Sequence, residues 1–234
     1  MKVRLAYLEE PPFYWTNADG VPTGADIELA GVVLRAIGAD VELVRTSFEE
    51  LLPSVRAGRW DMNVPIFVTA QRAAQVAFSV PVWTIGDGLV VHRGNPKSLA
   101  SYASLKTRGD ARLGVIPGQV QHLAARSAGL SDGQLVEFKN QPDAVAALLG
   151  GEIDAFAGTA LGGRLLVASH PQLDVLPLPK EGAAPLMGAF SFDQGNMHLL
   201  EAVNQALRHY LGSPDHRALM ARYGFGAEEI DGVL

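Results

Sequence analysis

The 234-residue sequence predicts an α/β architecture with largely parallel sheets, in two lobes of similar build. Two observations carry this. Strand-like and helix-like segments alternate almost throughout, as crossover connections between parallel strands require. One supersecondary plan also recurs: residues 49–64 (EELLPSVRAGRWDMNV) and 141–158 (QPDAVAALLGGEIDAFAG) each give an amphipathic helix, a glycine stop, two residues, an aspartate and an apolar strand. Any αβ unit with a glycine C-cap follows such a plan, so the recurrence suggests two lobes without requiring them.

The elements follow in order. Residues 2–8 (KVRLAYL) alternate charged and apolar side chains and read as a strand. The next loop has turn chemistry at Asp19-Gly20. Residues 25–39 (ADIELAGVVLRAIGA) have helical periodicity and stop at Gly38. VELVRT (41–46) is a strand, and SFEELLPSVRAG (47–58) is a helix opened by Ser47 and closed by Gly58. DMNVPIF (61–67) is a short apolar strand leading into a helix capped by Thr69. After DGLVVHRGN (87–95) the pattern restarts with a strand ending at Gly118 and a helix over 119–129. A strand (134–139), a helix (141–151), a strand (153–158), a helix (159–170) and the segment 173–178 come next. MGAFSFD (187–193) is a return strand to the first lobe, which makes the second lobe an insertion. Two helices, 197–212 and 213–224, end the pattern.

Composition removes several classes of function. Hydrophobic residues make up 48% and charged residues 19%, ordinary for a globular protein with real cores. A net charge of −6 without a basic run argues against nucleic acid as a partner. There is no cysteine, which excludes disulfides, thiolate metal sites and cysteine nucleophiles while leaving the compartment open. No stretch approaches the roughly 20 apolar residues that cross a bilayer. The N-terminus reaches Glu9 and Glu10 before an apolar signal region develops. The chain is therefore expected to be cytoplasmic, or a mature form with an added initiator methionine.

One arginine is electrostatically out of place. Between Asp61 and Asp87 the only formally charged residue is Arg72. With Thr69 as N-cap, Arg72 falls in the first turn of a helix, where a cation meets the partial positive charge of the helix N-terminus. Two readings are open. Arg72 snorkels to water or pairs with a carboxylate brought in by folding. Alternatively, the helix N-terminus, the Thr69 hydroxyl and the guanidinium together await an anion that is not part of the chain.

In order and spacing, the segments PPFYW…DGVPTGADIELA, LLPSVRAGRWD, VTAQRAAQVAFSVP, LGVIPGQV, ALLGGEIDAFAG and NQALRHYL resemble one family over essentially the whole chain. It is that of the extracytoplasmic solute-binding proteins of ABC transporters, specifically the binders of polar amino acids. The resemblance implies a two-lobed, type II periplasmic-binding-protein-like fold. Lobe one is residues 1–92 plus 189–234 and lobe two residues 93–188, hinged by crossing strands near VVHRG and GAFSF. A ligand cleft between the lobes closes on a small carboxylate solute, which passes to an ABC transporter permease. No catalysis, cofactor or metal is implied. The expected location is periplasmic or extracytoplasmic, with the signal peptide removed, and the acidic surface suggests a monomer.

The resemblance also assigns roles by position. Arg72 clamps the ligand carboxylate through two parallel hydrogen bonds, assisted by Thr69. Phe48 falls where an aromatic packs on the ligand, with core packing as the alternative. Gly118, Gln119 and Val120 form the helix start that offers backbone N–H groups from lobe two, where the family usually has small hydroxyl residues. Pro65 and Phe67 take positions on the cleft strand that are often glycine or serine and serine or threonine; proline keeps a carbonyl but has no N–H. Thr159 stands where amino-acid binders typically carry the aspartate that neutralises the α-ammonium. Glu10, at a position that often holds an aromatic, is either a replacement partner or a solvated loop carboxylate.

A buried ammonium without a counter-charge is costly, so two ligand classes are open. In one, Glu10 and the Pro65 carbonyl hold the ammonium and Thr159 adds a neutral bond. In the other, the ligand has no free α-ammonium, as in a keto or hydroxy acid or a betaine-like amino acid. The departures at Gln119, Val120, Pro65 and Phe67 favour the second. The rival readings are a lyase or dehydratase of the same fold using Glu10 with His122 or Asp87, and a soluble ligand-sensing module. Against the enzyme, the sequence has no HExxH, GxSxG or phosphate loop, and its six histidines are never paired at metal-ligand spacing.

Overall fold

A computed structural model describes residues 1–178 and 186–234. Residues 179–185, which the sequence reading includes in lobe two, lie outside the described residues. The elements are β1 (Lys2–Tyr7), β2 (Trp15–Thr16), β3 (Pro22–Thr23), α1 (Ala25–Ala36), β4 (Asp40–Arg45), α2 (Phe48–Arg56), β5 (Met62–Phe67), α3 (Ala70–Ala73), β6 (Ala77–Phe78), β7 (Trp83–Thr84) and β8 (Asp87–His92). They continue with α4 (Tyr102–Thr107), β9 (Leu113–Val115), α5 (Val120–Ser127), β10 (Leu135–Glu137), α6 (Gln141–Leu149), β11 (Ala155–Thr159), α7 (Ala160–Ser169), β12 (Leu173–Pro177), β13 (Met187–Phe192), α8 (Met197–Tyr210), α9 (Pro214–Ala221) and α10 (Ala227–Asp231).

The chain divides into two units, Met1–Thr84 with Leu186–Leu234, and Ile85–Pro185. This boundary lies earlier than the one read from the sequence, and hydrogen bonding is the reason. The stretch 87–92, assigned from the sequence to lobe one, is β8, which pairs from end to end with β11 and β12 of the second unit. β13 pairs with β5, β6 and β7 of the first unit. Each of the two expected crossing strands thus belongs to one sheet.

The main sheet of each unit is mixed, with a parallel heart and antiparallel returns. In the first unit, β4, β1 and β5 are parallel and β13 runs antiparallel beside β5. In the second, β10, β9 and β11 are parallel and β8 runs antiparallel beside β11. The core of the first unit includes Leu5, Leu29, Leu34, Leu51, Met62 and Phe190. That of the second gathers Leu89, Val91, Leu99, Leu105, Leu113 and Val115.

The recurring sequence plan is realised in matching backbone bonds beside the start of these strands. Asp61 N–H donates to the Arg4 carbonyl at 3.0 Å, and Asp154 N–H to the Arg112 carbonyl at 2.9 Å. In return, the backbone N–H of Arg4 donates to Asp61 Oδ2 and that of Arg112 to Asp154 Oδ2, both at 2.8 Å. Arg4 Nη1 then reaches the Arg59 carbonyl and Arg112 Nη1 the Glu152 carbonyl, tying β1 and the residue before β9 to the stops that follow α2 and α6. Each aspartate satisfies a strand-end donor that would otherwise lack a ladder partner. Among the described residues, no helix is long and apolar enough to cross a membrane.

Candidate functional site

The candidate residues gather at the carboxyl ends of the parallel strands, where αβ loops and helix starts present polar groups. In the first unit, Glu10 follows β1, Phe48 opens α2 after β4, and Pro65, Phe67, Thr69 and Arg72 lie on or just after β5. In the second, Gly118, Gln119 and Val120 follow β9 and Thr159 ends β11.

Arg72 is buried, at 6% exposure, and held from three sides. Its backbone N–H donates to the Thr69 Oγ1 cap at 3.2 Å, and its Nη1 donates to the Phe67 carbonyl at 2.7 Å. Its Cζ lies 5.1 Å from the centre of the Phe48 ring. Burial pulls the guanidinium down to about 10, against the opposing pull of Tyr14 and Glu10, so it stays charged at neutral pH. Folding therefore does bring a carboxylate, Glu10, into the field of Arg72. The helix part of the anion reading loses weight, because α3 is a single turn, Ala70–Ala73, and carries little macrodipole.

The other first-unit candidates divide by role. Phe48 is half-buried and covers the guanidinium rather than filling the core. Phe67 contributes its carbonyl, while its ring stands edge-on to Trp83 at 5.3 Å between centroids. Pro65 is buried in β5 at an irregularity: the register passes from Ala189↔Ile66 to Ser191↔Asn63, leaving Val64 and Pro65 opposite Phe190 alone. A residue without an N–H suits such a bulge.

Sequence reasoning missed Tyr14, Asp26 and Trp83. Asp26, in the first turn of α1, is fully buried and accepts Trp83 Nε1 at 3.0 Å. Burial pushes its carboxyl well above the usual range, the Trp83 bond opposes, and Glu10 adds to the rise. The Tyr14 hydroxyl is likewise pushed well up by burial, then by Glu10 and Asp26, with Arg72 opposing. Glu10, Tyr14, Asp26 and Arg72 thus form one electrostatic cluster. A readable signal was Asp26 in the first turn of α1, but beside Glu28 it looks the same as an ordinary N-terminal carboxylate.

In the second unit, Gly118 adopts φ +80°, the left-handed turn open to glycine, and delivers the chain to Gln119 at the N-cap of α5. Gln119 and Val120 are buried. Thr159 Oγ1 accepts the Gly162 N–H at 3.0 Å and so caps α7, which commits one of its lone pairs. Its partner across the β8–β11 ladder is Asp87. Asp87 Oδ1 accepts Gln121 Nε2 at 2.8 Å, and burial raises its carboxyl. His122 Nε2 accepts Arg126 Nε at 2.8 Å and lies 3.5 Å from Glu137. Among the described residues no group of His, Asp or Glu could hold a metal ion.

Two α/β units, each with a parallel βαβ heart, an antiparallel return and its polar groups at the strand carboxyl edge, define the class of two-domain solute-binding folds. More narrowly, the chain belongs to the bacterial extracellular solute-binding proteins, family 3, whose profile matches residues 3–227. It is 25% identical over 240 residues to y4tE of Sinorhizobium fredii, a probable amino-acid ABC transporter periplasmic-binding protein, covering 99% of this chain and 79% of that one. To the L-cystine-binding protein TcyJ of Escherichia coli it is 25% identical over 219 residues, covering 93% of this chain and 80% of that one. The crystal structure of EhuB in complex with hydroxyectoine matches with a TM-score of 0.88 at 28% identity, covering 97% of this chain and 90% of that one. The family and these relatives are binding proteins.

Proposed function

We propose that the chain binds a small carboxylate solute, an amino acid or an amino-acid-like compound, and delivers it to an ABC transporter permease from an extracytoplasmic location. The observation that carries this reading is Arg72, a buried guanidinium fixed by the Phe67 carbonyl, the Thr69 cap and the Phe48 ring. An incoming carboxylate restores to the buried cation what burial takes away. In the second unit, the positions that the resemblance assigns to the ligand are the turn at Gly118 and the α5 start at Gln119 and Val120.

The match to EhuB supports a ligand without a free α-ammonium, since hydroxyectoine carries its positive charge on a ring amidinium. We read the protein as a non-catalytic monomer that uses no cofactor and binds no nucleic acid. Native mass spectrometry of protein purified without denaturation tests the reading. A retained small carboxylate is expected, with a smaller radius by X-ray scattering once the protein is saturated. A retained compound lacking a carboxyl group, or turnover of the retained compound to a product, overturns it.

A further inference from the structure

We propose that β4 is a docking edge for an extended segment of a partner protein, one that alternates basic and apolar residues and joins the sheet as a further strand. β4 is the outermost strand of the first unit's main sheet, paired on one side only, with β1. The phase of that ladder fixes which groups face out. Asp40 N–H donates to the Met1 carbonyl at 2.8 Å and Thr46 N–H to the Tyr7 carbonyl at 2.9 Å, so the even-numbered residues bond to β1. Val41, Leu43 and Arg45 therefore turn both N–H and C=O away from β1. The strand runs 6 residues in unbroken register, with neither a proline nor a bulge to blunt its free edge.

Side chains alternate across this edge, and both faces select the same partner. Val41 and Leu43 line a groove of about 690 Å³, whose apolar lining continues through Ile27 and Val32 of α1 and Ala218 and Leu219 of α9. A strand added beside β4 lays every second side chain along this groove, while its backbone takes up the outward N–H and C=O groups. The opposite face carries Asp40 and Glu42, both exposed. Among the described residues the Asp40 carboxylate has no hydrogen-bond or ion-pair partner. β1 shows the chemistry that β4 accepts on its inner side, since it reads KVRLAY. Lys2 and Arg4 stand in register with Asp40 and Glu42, and Val3 and Leu5 with Val41 and Leu43. Lys2 Nζ also lies 2.7 Å from Glu42. The outer side of β4 offers the same two carboxylates and the same apolar pair to a second strand of that pattern.

The probe is a fluorescein-labelled peptide, KVRLAYL, titrated into the intact protein by polarisation and followed by amide exchange in NMR. Saturable binding is expected, with slowed exchange at Val41, Leu43 and Arg45 and little change at Glu42 and Val44, which β1 already protects. Binding should weaken several-fold as salt rises from about 0.05 to 0.5 M. Val41→Pro removes one outward N–H and leaves the β1 ladder whole, so the peptide Kd should rise about tenfold while solute affinity holds. Asp40→Lys leaves the backbone untouched and should raise the peptide Kd about three- to tenfold, which keeps the proposal testable if Val41→Pro fails to fold. No saturable binding at about 1 mM peptide overturns the proposal, as does binding without protection at those three amides. So does an affinity within about twofold for the same peptide with glutamate in place of its two basic residues. A dimer in native mass spectrometry that Val41→Pro dissolves makes the occupant a second copy of this chain, and the proposal falls.

Discussion

Gly188→Ala reaches the candidate site through packing alone. Gly188 pairs with Trp83 across the β7–β13 ladder, and the indole folds over it so closely that a Cβ there falls well inside van der Waals contact with three ring atoms. The indole cannot retreat cheaply. Phe13 and Phe67 stand 5.6 and 5.3 Å from it, centroid to centroid, and its Nε1 is bound to Asp26 at 3.0 Å. Overpacking of this kind costs about 1–3 kcal/mol. Breaking the Trp83–Asp26 bond adds about 1–3 kcal/mol, since it leaves a buried oxygen unpaired. Replacing glycine in a strand returns about 0.5–1 kcal/mol. The net loss of about 1–5 kcal/mol lowers the melting midpoint by roughly 2–20 °C. Because the Phe67 ring shares the cage and its carbonyl holds Arg72, solute affinity should fall as well. Circular-dichroism melts and tryptophan emission read the effect, and Trp83→Phe in the same chain should recover part of it. A midpoint within about 2 °C of wild type, with unchanged emission, shows that the indole has room and refutes the cage.

Further outcomes follow from the buried and paired charges. Burial raises the Asp26 carboxyl in the folded state, so that state holds the proton more tightly and stability declines as pH rises from about 4. Asp26→Asn, which keeps the acceptor for Trp83, should flatten this decline between pH 4 and 7 in denaturant titrations; an unchanged slope contradicts the burial argument. Asp61 has the opposite sign. Its hydrogen bond from the Arg4 side chain lowers its carboxyl, so its contribution is present above about pH 4 and is lost as pH falls further. Asp61→Asn should cost about 1 kcal/mol at pH 7, after allowance for partial exposure, and almost nothing at pH 3. Phe48→Ala should weaken solute binding by about tenfold with little change in melting midpoint, because the ring lies on Arg72 and outside the core; the reverse pattern assigns Phe48 to the core.

Much of the fold was legible because it rests on local chemistry. Periodicity marked the long elements, and the glycine stop before Asp61 and Asp154 marked a repeated unit whose backbone bonds the structure reproduces. What escaped was decided by pairing at a distance. β8 reads as a strand, but nothing in DGLVVHRGN says that β11 and β12 flank it, so the unit boundary moved from residue 93 to Ile85. The strands β2, β3, β6 and β7 are two residues each and carry no period to detect. In the site, Thr69 showed itself as a cap and Arg72 as a misplaced cation. The Phe67 carbonyl could not be ranked, since every residue has one.

The account turns on Arg72 as the anchor of a carboxylate, and calorimetric titration of wild type, Arg72→Ala and Arg72→Lys with the carboxylate retained on purification tests it most directly. Two charge-assisted bonds of about 1.5–3 kcal/mol each predict a Kd rise of roughly 10²- to 10⁴-fold in Arg72→Ala. Arg72→Lys should recover little, because a point charge does not reproduce the planar fork. Both variants should melt near wild type in the absence of solute, since losing the Phe67 bond and the Phe48 contact is offset by no longer burying a charge. Near-wild-type affinity in a folded Arg72→Ala protein contradicts the account and places the anchor elsewhere.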